Sequence, residues 1–128
     1  MLIIRPQQFD ELARAQFESW MMDHLHEFFA GVIAGIPNAE IRDRIRLASK
    51  RARTYGFIAP PEICRYIDLT FVLGPAFDQD TDLPWVAEIL ADRRLTSPEM
   101  RMDLLFEAAQ DHIDRVKQSS TAEKVQRG

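Results

Sequence analysis

The segment from Tyr55 to Leu90, YGFIAPPEICRYIDLTFVLGPAFDQDTDLPWVAEIL, constrains the fold more than any other part of the chain. Pro60 and Pro61 suit the first turn of a helix, where a missing N–H costs nothing, and Gly74-Pro75 closes that helix. Glu62 stands near its positive end. Between these boundaries the side chains are apolar on nearly every face, and such a helix has to be enclosed by other elements. Ile63, Tyr66, Ile67, Phe71 and Val72 are therefore predicted at the centre of a core.

The other elements are read around that centre. Pro6 opens a long amphipathic helix to about Ala30, with Phe9, Leu12, Ala13, Phe17, Trp20, Met21, Leu25 and Phe28 at three- and four-residue steps. A second helix, Ala39 to Tyr55, follows Asn38 as its N-cap; it carries Ile41, Ile45, Ala48, Ala52 and Tyr55 on one stripe and stops at Gly56. After the proline-bounded loop, a short helix from Pro84 to Ala91 presents Trp85, Ile89 and Leu90, with Phe77 and Leu83 as loop anchors. Thr96-Ser97-Pro98 caps a last helix on which Leu104, Leu105, Ala108, Ala109, His112, Ile113 and Val116 share one side. Glycine is scarce and valine and threonine form no alternating runs, so the fold class is all-α. The expected architecture is a single compact bundle of about five helices around a buried central helix. It occupies residues 1–117, and a flexible polar tail follows over residues 118–128.

No spacing in the sequence carries a known chemistry. Asp78, Asp80 and Asp82 match the first three ligand positions of a calcium loop, but Leu83 stands where that loop needs glycine and Ile89 where it needs glutamate. They are read as turn and cap residues. His24 and His26 lie two apart on a helix and point to nearly opposite sides, so they cannot share an ion. His24 falls on the apolar stripe with Trp20 and Phe28 and is read as a hydrogen-bonded core histidine; His26 is read as solvent-facing, and His112 like His24. Cys64, the single cysteine, is read as a buried structural thiol with no identifiable histidine partner, and Arg65 with Asp68 as an ion pair on the helix's polar edge. The sequence therefore offers no catalytic, cofactor-binding or metal-binding residue. Convergence of His24, His112 and a carboxylate in space stays open.

Charge is less evenly spread. From Ala39 to Gly56, six cations (Arg42, Arg44, Arg46, Lys50, Arg51, Arg53) face Glu40 and Asp43, giving +4 in a chain of net charge −4. The result is a positive ridge on an otherwise acidic body. Arg42, Arg46, Lys50 and Arg53 are the predicted partner-binding residues. A nucleic-acid partner is not expected, because the rest of the chain would repel a polyanion. Met21, Met22 and Trp20, and also Met100 and Met102, would extend a contact patch if exposed. No run is long enough to span a membrane, MLIIRPQQF lacks the features of a signal peptide, and a lone cysteine fits a reducing compartment, so a cytoplasmic protein is expected.

The core CRYIDLTFVLGPAFD followed by LPW, together with the N-terminal MLIIRPQQFDELA, resembles a family of small bacterial proteins encoded next to type VI secretion spike and effector genes. The likeness runs from about Leu2 to Ile113 and carries no catalytic residue. It implies a non-enzymatic adaptor or chaperone-like role in effector loading, through another protein of the same gene cluster: an effector, a spike component or a further adaptor. Two other readings are an immunity protein that neutralises a co-encoded toxin, and a small metal-dependent hydrolase built on His24, His112 and the aspartate loop.

Overall fold

The computed structural model describes the backbone of residues 6–127 and the side chains of residues 11–119. Every regular element among them is helical. They are α1 (Pro6–Phe28), α2 (Ala30–Ile33), α3 (Asn38–Thr54), α4 (Pro60–Leu73), a 3-10 turn (Phe77–Gln79), α5 (Pro84–Ala91) and α6 (Pro98–Arg127). The chain divides into two compact units, residues 1–75 and residues 76–128.

In the first unit α4 takes the central place that its sequence requires. Eight of its fourteen residues are buried, Ile63, Tyr66, Ile67 and Phe71 among them. Val72, predicted in the same core, is 38% exposed. The most extensive packing in the unit is between α3 and α4, and α1 rests on both. On α3 the stripe Ile41, Ile45, Ala48 and Ala52 is buried, and its two small members let the backbones approach closely. Tyr55 is half-buried, with its ring 6.1 Å from that of Tyr66.

The end of α3 is fixed by a Schellman motif. Gly56 has φ of 89°, its N–H donates to the carbonyl of Arg53 at 3.0 Å, and the N–H of Phe57 donates to that of Ala52 at 3.0 Å. Phe57 is fully buried and touches Tyr66, so the cap also turns the chain into the core. The start of α3 differs from expectation: Pro37 holds the N-cap position with no side-chain cap, and Asn38 is the first helical residue.

α1 buries less of its apolar stripe than the periodicity predicts. Met21, Met22 and Leu25 are covered, while Leu12, Trp20 and Phe28 are 53%, 53% and 66% exposed. Phe9 lies outside the described side chains. The helix stops at Phe28, and the turn of α2 takes over before Gly35.

The second unit begins with Phe77 and Leu83 buried, as anchors of the loop. α5 has the predicted bounds, but its fully buried residue is Val86; Trp85, Ile89 and Leu90 are only half-covered. Ser97 caps α6 by accepting a hydrogen bond from the N–H of Met100 at 3.3 Å. Met102, Leu105 and Ala109 form the buried side of α6, whereas Leu104 and Val116 are exposed. The helix runs on to Arg127, beyond Lys117 where the sequence reading ends it; side chains from Ser120 onward are outside the described set.

Candidate functional site

Two features of the first unit have functional content. The first begins with helical spacing: Cys64 and Asp68 are four residues apart on α4 and therefore share a face. α1 lies against that helix and brings His24 onto the same spot. His24 Nε2 stands 3.1 Å from each Asp68 carboxylate oxygen and 3.8 Å from Cys64 Sγ, and Sγ is 4.0 Å from Asp68 Oδ2. The imidazole is walled by aromatic rings, with Trp20 stacked at 5.2 Å and Phe28 and Phe29 at 5.2 and 5.8 Å between centroids. The side chains of His24 and Asp68 are 17% and 9% exposed.

Burial decides the electrostatics of this cluster. It pushes the Cys64 thiol up to about 12, the negative charge of Asp68 adds to the effect, and Arg65 opposes it. Burial also raises the Asp68 carboxyl, while the hydrogen bond and charge of His24 pull the other way. The thiol is therefore protonated at neutral pH and a poor nucleophile.

The geometry also argues against a proton relay. A nucleophile–imidazole–carboxylate relay uses the two ring nitrogens separately, one for the nucleophile and one for the acid. Here thiol and carboxylate both approach Nε2. One nitrogen cannot donate to the carboxylate and accept from the thiol at once. What the arrangement does offer is three potential ligand atoms of different types facing one point, and these three are the one such group among the described residues.

The second feature is the outer face of α3. Arg42, Arg46, Lys50 and Arg53 are all exposed, as the four- and three-residue steps require. They are not equivalent. Arg46 closes a two-pronged contact on Glu18 of α1, at 3.0 and 3.1 Å, and lies 3.8 Å from Asp43. Arg44 is turned inward: its guanidinium covers the Phe71 ring at 4.0 Å and donates to the Thr70 carbonyl at 3.1 Å. Arg51 donates to the Pro75 carbonyl at 3.2 Å. No hydrogen bond or ion pair among the described residues holds Arg42, Lys50 or Arg53, and Leu47, three residues before Lys50 on α3, is 55% exposed.

The remaining sequence candidates fall elsewhere. Asp80 accepts from the N–H of Asp82 at 2.9 Å, a turn-stabilising contact of the kind predicted for the loop, and Asp78 is buried. His26 is exposed, and His112 is half-buried beside Trp85 at 5.9 Å in the second unit. Among the methionines offered as patch residues, Met21, Met22 and Met102 are buried and only Met100 is exposed. An open groove of 590 Å³ in the second unit is lined by Ile89, Leu95 and Leu104 and edged by carboxylates; its one arginine, Arg94, is folded back onto Asp92. The reading of Cys64 as a thiol without a histidine partner is corrected by the structure, because His24 arrives from forty residues away.

No protein-family model, no curated protein and no solved structure matches this chain. Among the described residues, no helix is long and apolar enough to cross a membrane.

Proposed function

We propose that this chain is a non-enzymatic, protein-binding accessory factor that presents the outer face of α3 to an acidic surface on its partner. The observation that carries this reading is the contrast within one helix. Its inward and flanking cations, Arg44, Arg46 and Arg51, each have an intramolecular acceptor, whereas Arg42, Lys50 and Arg53 have none among the described residues, and Lys50 stands one turn from the exposed Leu47. A charged rim next to an apolar anchor is the usual make-up of a steered protein interface. The resemblance of the CRYIDLTFVLGPAFD segment gives the partner a class: a product of the same type VI secretion gene cluster, met in the cytoplasm, for which the chain serves as adaptor or chaperone.

The test is association kinetics with the products of the neighbouring effector and spike genes. The triple variant Arg42→Glu, Lys50→Glu, Arg53→Glu is expected to associate at least about tenfold more slowly and to lose most of its salt dependence. Association unchanged by the triple reversal sinks the proposed surface. Secretion assays separate the roles: loss of effector export on deletion supports an adaptor, and protection of toxin-expressing cells without an export defect replaces it with an immunity function.

A further inference from the structure

We propose that His24, Cys64 and Asp68 form a binding site for one zinc-class divalent transition-metal ion. The donor set argues for the ion. A thiolate, an imidazole and a carboxylate are the three side-chain ligand types that zinc accepts, while calcium and magnesium take oxygen donors.

The spacing argues for it independently. The triangle of Nε2, Sγ and Oδ2 has sides of 3.1, 3.8 and 4.0 Å. Its centre lies about 2.1 Å from each corner, beside zinc–nitrogen and zinc–oxygen distances of about 2.0–2.2 Å and a zinc–sulfur distance of about 2.3 Å. An ion a few tenths of an ångström out of that plane meets all three ligands without any helix moving.

The cluster is also poorly satisfied as a set of hydrogen bonds. The imidazole N–H is shared equally between two oxygens at 3.1 Å, and the thiol stands 4.0 Å from the carboxylate. A cation exchanges these weak contacts for three coordinate bonds: the thiol proton is released to solvent, leaving a thiolate, and the imidazole takes the tautomer protonated at Nδ1, which frees the Nε2 lone pair. The aromatic rings of Trp20, Phe28 and Phe29 around His24 fix the imidazole and lower the local dielectric. Three protein ligands leave a fourth position for water or an external donor. The ligands come from two helices, so the ion also ties α1 to α4.

Cobalt(II) titration of chelator-stripped full-length protein tests this directly, because the chain has a single cysteine. The expected result is a sulfur-to-cobalt charge-transfer band in the near ultraviolet that saturates at one equivalent, disappears on adding zinc, and is unaffected by excess calcium or magnesium. Cys64→Ser is expected to abolish the band and Asp68→Asn to weaken zinc binding by more than about a hundredfold, while His26→Gln leaves both unchanged. Wild-type protein that shows no charge-transfer band, or a Cys64→Ser variant that keeps its zinc affinity, overturns the proposal. The wild-type spectrum decides the question even if a substituted chain fails to fold.

Discussion

Cys64 shows how burial and partners set the behaviour of a single side chain. With the thiol held near 12, the thiolate fraction of metal-free folded protein at pH 8 is about one in ten thousand, against roughly a quarter for an ordinary thiol. Alkylation by iodoacetamide is therefore expected to be at least about a thousandfold slower in the folded, chelator-treated chain than in denaturant. Comparable rates in the two states would show that the thiol is not enclosed as described. The same shift fixes the sign of a pH effect. Below about pH 8.5 both folded and unfolded chains keep the proton, so the group contributes no pH dependence. Above it the unfolded chain releases the proton while the folded chain holds it, and stability falls until about pH 12. Denaturant midpoints measured from pH 8 to 11 are expected to decline over that window and to do so less in Cys64→Ser. At this scale the sequence shows Cys64 and Asp68 on one helical face, since four-residue spacing is a local property. It cannot show His24, whose arrival depends on how α1 lies on α4, a long-range choice no spacing encodes.

Among the elements, the boundaries that rest on backbone chemistry were readable and the faces that rest on coverage were not. Pro60, Gly74 and Pro84 mark helix ends because a ring or a missing Cβ acts wherever it stands, and the structure puts the ends of α4 and α5 there. Gly56 is the strictest case. Its φ of 89° is strained for any L side chain, so Gly56→Ala is expected to cost about 1 kcal/mol, seen as a lower urea midpoint with an unchanged slope. An unaltered midpoint would mean that the Schellman turn is not rigidly required. The stripe of α1, by contrast, predicts which residues can be buried but not which have something to bury them: Met21 and Leu25 are covered, Trp20 and Phe28 are not. On α5 the same ambiguity favoured the large residues Trp85, Ile89 and Leu90, whereas the position turned fully inward is Val86. Where coverage is complete, removal should be expensive. Ile67 is wholly buried in α4, and Ile67→Ala is expected to destabilise by about 2–5 kcal/mol, a far larger loss than at the exposed Val72 further along the same helix.

Across the whole molecule, both candidate sites and most of the buried aromatic volume fall in one of the two units. Residues 1–75 contain His24, Cys64 and Asp68, the α3 ridge, and the buried rings of Tyr66 and Phe57. They carry nine basic and nine acidic residues, while residues 76–128 carry seven and eleven, so the chain's net charge of −4 resides in the second unit. Against a neutral first unit, the +4 of α3 is balanced by acids on its other elements, which sharpens the local field of the ridge without making the unit a polycation. The sequence marks Gly74-Pro75 as the end of a helix but not as a boundary between units; the division comes from which helices contact which. It has a consequence for autonomy. Among the described residues the first unit has four helices and a core with several large side chains, whereas the buried apolar residues of the second are Phe77, Leu83, Val86, Met102, Leu105 and Ala109. A fragment of residues 1–75 is therefore expected to unfold cooperatively by itself and to give the full-length cobalt spectrum, while residues 76–128, with so small a core, are expected to show no cooperative transition. If the first fragment melts without cooperativity, its core depends on the rest of the chain; if it folds but loses the cobalt band, the metal ligands do.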